Sequence, residues 1–141
     1  MNMRAIAAVI GGIIAWWILF MAIGIAFGLI WPDYRAAARA FFNNQDFSQF
    51  TTAMKLANFV VFAIAGVIDG WLVAQLGRSR IAGIVVAGLY LAYALVDHYY
   101  LLWNVIPAWY NLVVPWIIAG SIFAGAHLAP GADTPASQAS G

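Results

Sequence analysis

The feature that most constrains this chain is a set of four long apolar segments. They cover residues 5–30, 52–77, 81–103 and 107–129. Roughly 20 helical residues cross the hydrocarbon core of a bilayer, so apolar runs of this length predict transmembrane helices. Only 8% of the residues are charged, against roughly 25% in globular domains, which is too few for a soluble surface. We therefore predict an all-α fold, a four-helix transmembrane bundle, as one domain over 1–129.

The two ends of the chain need separate interpretation. The first apolar segment follows Arg4 and so resembles a secretory signal peptide. The apolar region of a signal peptide is about 7–15 residues long, however, and this segment is much longer. We therefore expect a retained first helix. At the other end, 130–141 consists mainly of Ala, Ser, Gly and Pro, which predicts a disordered tail.

The longest predicted loop, 31–51, contains the pattern of a short helix. Pro32 suits the first turn of a helix. Arg35 and Arg39 are four residues apart and therefore share one face. Aromatic and small residues fall largely on another face: Tyr34, Ala38, Phe41 and Phe42. This pattern predicts an interfacial helix after helix 1, with its apolar side in the lipid headgroups. An ordered polar loop is the alternative.

The second and fourth apolar segments share a short motif. One contains Asn58-Phe-Val-Val followed by Ala65-Gly66, and the other contains Asn111-Leu-Val-Val followed by Ala119-Gly120. Both helices of such a pair cross the membrane in the same direction. The motif therefore suggests a parallel duplication of a helical hairpin. Chance similarity between apolar helices is the alternative.

The positive charges set the expected orientation only weakly. The side with the termini carries Arg4, Arg78 and Arg80, and the other carries Arg35, Arg39 and Lys55. This is a tie under the positive-inside rule. The compact Arg78–Arg80 pair favours cytoplasmic termini, and we expect a multi-pass protein of a bacterial inner (cytoplasmic) membrane. A net charge of +1 gives no basic footprint for nucleic acid.

Polar residues inside the apolar segments are the most informative part of the sequence. An Asp at the centre of a span costs about 2.5–3.5 kcal/mol on insertion scales, so it needs a partner or a function. Two predicted helices carry polar residues at matched spacing. Helix 2 has Lys55, Asn58, Phe62, Ala65 and Asp69, and helix 3 has Tyr90, Tyr93, Asp97, Tyr100 and Asn104. On helix 4, Ser121 and Gly125 roughly follow Asn111. We predict that these stripes face one another.

Counting residues from the turn between helices 2 and 3 places these polar groups in two layers. The outer candidate cluster contains Lys55, Asn58, Asp97, His98, Tyr100, Asn104 and Asn111. The inner candidate site contains Asp69, Tyr90, Tyr93 and Ser121. A Lys55–Asp97 ion pair with amide hydrogen bonds would make the outer cluster structural. A polar pocket or an ion path would make it functional, and both interpretations remain open.

Several kinds of chemistry lack their usual residues. The chain has no Cys and no Glu, and His98 and His127 lie at opposite depths, so we predict no metal site, no cofactor and no enzyme activity. The aromatic residues from Trp103 to Trp116 predict an interfacial belt. A groove for a lipid, a quinone or a carotenoid is the alternative.

Three functions remain open. The first choice is a scaffold or accessory subunit that assembles through helix–helix contacts at Gly24/Gly28 and Gly66/Gly70. The second is a homo-oligomeric transporter or channel for protons, ions or a small solute that uses Asp97 and Asp69. The third is a binder of lipid or a lipophilic cofactor. The expected partners are membrane lipid and either further copies of the chain or a membrane complex, not nucleic acid.

Overall fold

The computed structural model describes residues 2–132 and contains helices joined by short connections. Most of the predicted tail, 133–141, lies outside the described residues. The helices are α1 (Met3–Ile30), α2 (Pro32–Asn44), α3 (Thr52–Gly77), α4 (Arg80–Val96) and α5 (Ala108–Leu128). A short π-helical segment, Asp97–Leu101, directly continues α4.

The predicted four-helix bundle is confirmed. Within the described residues, α1, α3, α5 and α4 with its π-helical extension are each long and apolar enough to cross a membrane, which fits a multi-pass membrane protein. The predicted segment boundaries differ from the observed ones by no more than about two residues, the usual uncertainty of helix ends.

Local capping interactions explain where these helices begin and end. The Asn2 side chain accepts a hydrogen bond from the Ala5 backbone N–H at 2.9 Å, and Thr51 accepts one from Met54 at 3.3 Å. These side chains satisfy N–H groups that have no partner within the first turn. At the end of α3, Arg78 adopts a left-handed conformation with φ 48°, which terminates the helix and starts the turn to α4.

Helix α3 lies at the centre of the bundle and packs most extensively against α5. Glycines make this contact close. A methyl group on Gly66 would overlap the Ser121 side chain, one on Gly70 would overlap the Ile122 carbonyl, and one on Gly125 would overlap the Val67 backbone. The Gly66/Gly70 pair therefore mediates packing within the chain. A methyl group on Gly24 would meet nothing within 4 Å.

Helix α1 contacts the bundle along a narrow stripe. Its buried residues are Ala5, Val9, Gly12, Trp16 and Gly28. Most of its other side chains are large, apolar and exposed, including Ile10, Ile14, Ile18, Ile25 and Leu29. Such a surface is suited to lipid, because lipid chains are as apolar as these side chains.

The predicted helix after helix 1 is present as α2, and part of its apolar side packs against the bundle. Pro32 follows α1 after one residue, and α2 runs back along the second half of α1, so that Gly28 approaches Arg35 and Phe42 lies near Phe20. Tyr34 and Ala37 are buried in the core. Part of the apolar side therefore covers the bundle, whereas Phe42 is 59% exposed.

The predicted α3 stripe is buried except at Lys55, whereas most of the predicted α4 stripe is not buried. Asn58, Phe62, Ala65 and Asp69 are all buried. On α4 the buried face includes Val86, Tyr90 and Ala94, and it continues to His98, whereas Tyr93 and Tyr100 are exposed. A straight α-helix rotates about 20° per heptad relative to a repeat of 3.5 residues. Over two heptads this drift moves the predicted positions off the inward face, and the π-helical segment changes the register again.

Candidate functional site

Three residues of the predicted outer cluster, Asn58, Asp97 and His98, line an aromatic pocket in the bundle. The pocket has a volume of about 140 Å³. It lies between α1, α2 and α4, and residues of α3, α5 and both neighbouring connections complete it. Its polar lining groups are Tyr34, Asn58, Tyr90, Tyr93, Asp97, His98 and Tyr110. We call this space the aromatic pocket.

One wall of the aromatic pocket is a stack of nearly parallel rings. The ring centre of Trp16 lies 5.4 Å from that of Phe20 and 6.2 Å from that of Phe62, with interplanar angles of 9° and 12°. The ring centre of Tyr90 lies 4.9 Å from that of Trp16, at the edge of this stack. Aromatic pairs at these separations are favourable beyond the area they bury. The wall therefore presents flat, apolar ring surfaces in a fixed orientation.

A second group of side chains links α2, α3 and α5. The Tyr34 hydroxyl donates a hydrogen bond to Asn58 Oδ1, and the Asn58 side chain also lies within hydrogen-bonding reach of Tyr110. Burial raises the pKa of Tyr34 to about 12. The Tyr34 hydroxyl is therefore protonated at neutral pH and remains a donor. This contact joins α2, which follows α1, to the centre of the bundle.

Asn111 carries a third group of hydrogen bonds and is fully buried. Its Nδ2 donates to the carbonyl oxygens of Ile106 at 3.0 Å and of Leu102 at 3.3 Å. Its Oδ1 lies 2.8 Å from Nδ1 of His98. One amide side chain therefore holds both the connection before α5 and the imidazole near the end of the third transmembrane segment.

The π-helical segment brings Asp97 and His98 to the same pocket. In an α-helix, successive residues point about 100° apart, and we therefore expected them to diverge. The wider π turn changes this geometry, and both side chains line the aromatic pocket. Single π turns of this kind occur frequently at functional sites. The sequence pattern contained no signal for this turn.

Three members of the predicted outer cluster lie elsewhere. Lys55 does not pair with Asp97 within the described part of the chain, and its Nζ lies 5.4 Å from the centre of the Phe47 ring. Tyr100 is 85% exposed and Asn104 is also exposed. The Lys55 ammonium is thus near an aromatic face, an arrangement that the ring quadrupole stabilises. Asn58, Asp97, His98 and Asn111 remain as the observed cluster.

The connection between α2 and α3 closes one side of the aromatic pocket. Asp46 Oδ1 accepts hydrogen bonds from the Ser48 backbone N–H at 2.9 Å and from its hydroxyl at 2.6 Å, and Oδ2 accepts one from Gln49. These bonds hold a turn that places Phe47 and Phe50 against the pocket. The Ser48 hydrogen bonds also lower the pKa of Asp46.

The predicted inner site does not form one hydrogen-bonded cluster. The Tyr90 hydroxyl donates to the Ile13 carbonyl at 2.6 Å, and the Ser121 hydroxyl donates to Ile118 at 2.9 Å. Tyr93 is 49% exposed. Asp69 is completely buried, and its two carboxyl oxygens have no hydrogen-bond partner in the described structure. Asp69 is therefore separate from the other polar groups that we expected beside it.

Asp69 lines a second space, a cleft of about 350 Å³ between α1 and α3. Small residues on α1, among them Gly11 and Gly12, leave room along one side. Arg4 also lines the cleft, and its Nε donates a hydrogen bond to the Leu76 carbonyl at 2.6 Å. The cleft therefore extends between a surface arginine and a buried carboxyl group.

The aromatic pocket reaches the molecular surface beside three exposed rings. Trp17, Phe42 and Tyr93 line it and are 41%, 59% and 49% exposed. The segment in which we considered a groove contributes differently, because Trp103, Trp109 and Trp116 are exposed and do not line the pocket. Only Tyr110 and Ile106 from that region lie in its wall. Composition indicated abundant rings but not which of them would meet.

Residues 2–132 contain no group of three His, Asp or Glu side chains close enough to bind a metal ion. The aromatic pocket offers ring surfaces and a few hydrogen-bonding groups. Comparison with protein-family models, curated proteins and solved structures found no match to this chain.

Proposed function

We propose that this protein binds a lipophilic molecule whose aromatic ring occupies the aromatic pocket and whose alkyl chain lies among the membrane lipids. The observation that supports this proposal is the pocket itself, an apolar cavity with a few convergent polar groups. Small-molecule sites in proteins have this character. The proposal develops the ligand-binding alternative that the aromatic content had already suggested.

The size of the pocket limits what it can hold. A cavity of roughly 150 Å³ lined by apolar side chains is large enough to bind benzene. The aromatic pocket, at about 140 Å³, therefore suits one six-membered ring. A larger fused ring system or a whole acyl chain would need more space. The rest of the ligand must consequently lie outside the pocket.

The walls and the rim favour a ring with an attached chain. The stacked rings of Trp16, Phe20 and Phe62 offer flat surfaces, against which another ring can pack in an offset or edge-on arrangement. Trp17 and Tyr93 are exposed at the rim, on helices that are long and apolar enough to cross a membrane. A ligand dissolved in the lipid would therefore enter the pocket laterally, from within the membrane.

The scaffold hypothesis receives less support from the packing. It depended on small-residue faces, but Gly66 and Gly70 pack against α5 of the same chain and are not available to a partner. Gly28 faces Arg35 of α2, so it is also covered. Gly24 alone among these four glycines has open space beside it.

Native mass spectrometry of the protein in lipid nanodiscs tests the proposal. The probes are para-decylphenol and para-decylbenzene, which carry a ring, and decanol, which has the chain alone. We expect saturable binding of one ring compound per chain and none of decanol. Equal binding of decanol, or no saturable binding of either ring compound, would contradict the proposal.

A further inference from the structure

We infer that the ligand of the aromatic pocket carries a hydroxyl group on its ring, and that this hydroxyl donates a hydrogen bond to Nε2 of His98. This inference rests on the proposed function and names the chemical class of the ligand as a lipophilic phenol. It follows from the hydrogen bonds of Asn111, which fix the protonation pattern of the imidazole.

The orientation of the Asn111 amide is determined by its neighbours. The carbonyl oxygens of Leu102 and Ile106 are acceptors only, so the atom of Asn111 that faces them must be the Nδ2 donor. The Oδ1 atom therefore faces Nδ1 of His98 at 2.8 Å. Because Oδ1 can only accept, Nδ1 of His98 must carry the hydrogen.

This tautomer leaves His98 with a free acceptor. In a neutral imidazole, one ring nitrogen donates and the other accepts. Since Nδ1 donates to Asn111, Nε2 is the acceptor, and it forms no hydrogen bond with the described residues. His98 is 7% exposed and lines the aromatic pocket. A ligand that occupies the pocket can therefore supply the missing donor.

Two other hydroxyl groups of the pocket already donate within the protein, whereas Trp16 Nε1 is a buried donor that forms no hydrogen bond with the described residues. The Tyr34 hydroxyl donates to Asn58, and the Tyr90 hydroxyl donates to the Ile13 carbonyl. The Asp97 carboxyl is a further acceptor in the lining. An ammonium group would lose its hydration on entering the pocket, which is costly even beside aromatic faces. A neutral ring hydroxyl fits both the donor requirement and the flat aromatic wall.

Binding affinities of three matched probes test this inference. Para-decylphenol has a donor, its methyl ether para-decylanisole has the oxygen without the donor, and para-decylbenzene has neither. An unmet buried hydrogen-bonding group costs about 1–3 kcal/mol, so we expect the phenol to bind roughly tenfold more tightly than the anisole. Equal affinities would overturn the inference while leaving ring binding intact. Absence of binding by all three would instead contradict the proposed function.

Two variants identify the acceptor. His98→Phe keeps a ring of similar size without Nε2. We expect this variant to bind the phenol and the anisole with equal affinity. Continued binding of para-decylbenzene shows that this variant retains the pocket. Asp97→Asn is the matched control and should keep the preference. Loss of the preference in Asp97→Asn, with retention in His98→Phe, would assign the acceptor to Asp97 and overturn the inference.

Nitrogen NMR of the unmodified protein provides a measurement that does not depend on a variant's folding. The chain has two histidines, and exposed His127 serves as an internal reference. With histidine-selective labelling, we expect Nδ1 of His98 to carry the proton before ligand is added. Para-decylphenol should shift the Nε2 signal of His98, and para-decylanisole should not. A proton on Nε2 in the free protein, or equal shifts with both probes, would overturn the inference.

Discussion

Nδ1 of His98 lies 2.8 Å from Oδ1 of Asn111, and this contact joins the π-helical segment after α4 to the first turns of α5. The same Asn111 side chain donates to two carbonyl oxygens in the connection between these helices. A single buried amide thus positions the imidazole at the aromatic pocket. Its replacement should affect both the stability of the bundle and the ligand preference of the pocket.

We expect Asn111→Leu to lower the free energy of unfolding by about 1–3 kcal/mol, because His98 Nδ1 and two carbonyl oxygens lose their partner in a buried site. Asn104→Leu is the matched control, since Asn104 is exposed near the same connection and its replacement should change stability little. Unfolding in mixed detergent micelles measures both. Equal stability of the two variants would contradict the role assigned to Asn111.

The glycine contacts between α3 and α5 provide a separate prediction. Gly70→Ala would place a methyl group against the Ile122 backbone carbonyl, which cannot move aside as a side chain can, and we expect severe destabilisation. Gly120→Ala is the control, because nothing lies within 4 Å of the added methyl group. Thermal unfolding should show a much lower unfolding temperature for Gly70→Ala and an unchanged one for Gly120→Ala. Similar unfolding temperatures would indicate that α3 and α5 are less closely packed.

Asp69 should tolerate replacement of its carboxyl group by a neutral amide. It is completely buried, and its carboxyl oxygens have no hydrogen-bond partner among the described residues. Placing an unpaired ionised carboxylate in an apolar surrounding costs more than placing a neutral group of the same shape. Asp69→Asn should therefore leave the unfolding temperature unchanged or raise it. A clear loss of stability would show that the carboxyl group has a partner, such as an ion in the cleft.

The hydrogen bonds of Asp46 predict that the stability of the protein depends on pH. Hydrogen bonds from Ser48 lower the pKa of Asp46 in the folded protein, so its contribution to stability is present above the unfolded-state pKa. That contribution disappears as the pH falls through the folded-state pKa. We expect Asp46→Asn to destabilise the protein at neutral pH, with the difference from the parent protein shrinking in acid. A difference that is constant with pH would exclude this contribution.

The sequence predicted the bundle because long apolar runs have few other ways to fold. It also predicted the buried face of α3, since Asn58, Phe62 and Asp69 repeat at helical spacing. It placed His98 and Asn111 at a shared depth, and they form a hydrogen bond. Each of these results depends on spacing along one helix or on simple counting from a turn.

The parts that the sequence did not predict depend on contacts between helices. The Lys55–Asp97 pair required a particular rotation of two helices, whereas Lys55 lies over the Phe47 ring. The π-helical segment shifts the register after Val96, which the α-helical period cannot anticipate. The return of α2 onto α1 brings the Tyr34 hydroxyl to Asn58 on α3, a contact that spacing along one helix cannot reveal. The duplication of a helical hairpin stays a prediction.

Filling the aromatic pocket tests the central claim most directly. Ala38 lines the pocket, whereas Ala36 is exposed on the same helix, so Ala38→Leu and Ala36→Leu add the same atoms inside and outside it. The measurement is the equilibrium affinity for para-decylphenol in lipid nanodiscs. We predict that Ala38→Leu abolishes saturable binding, while Ala36→Leu binds like the parent protein. Unchanged binding by Ala38→Leu would contradict the claim that the ring occupies this pocket.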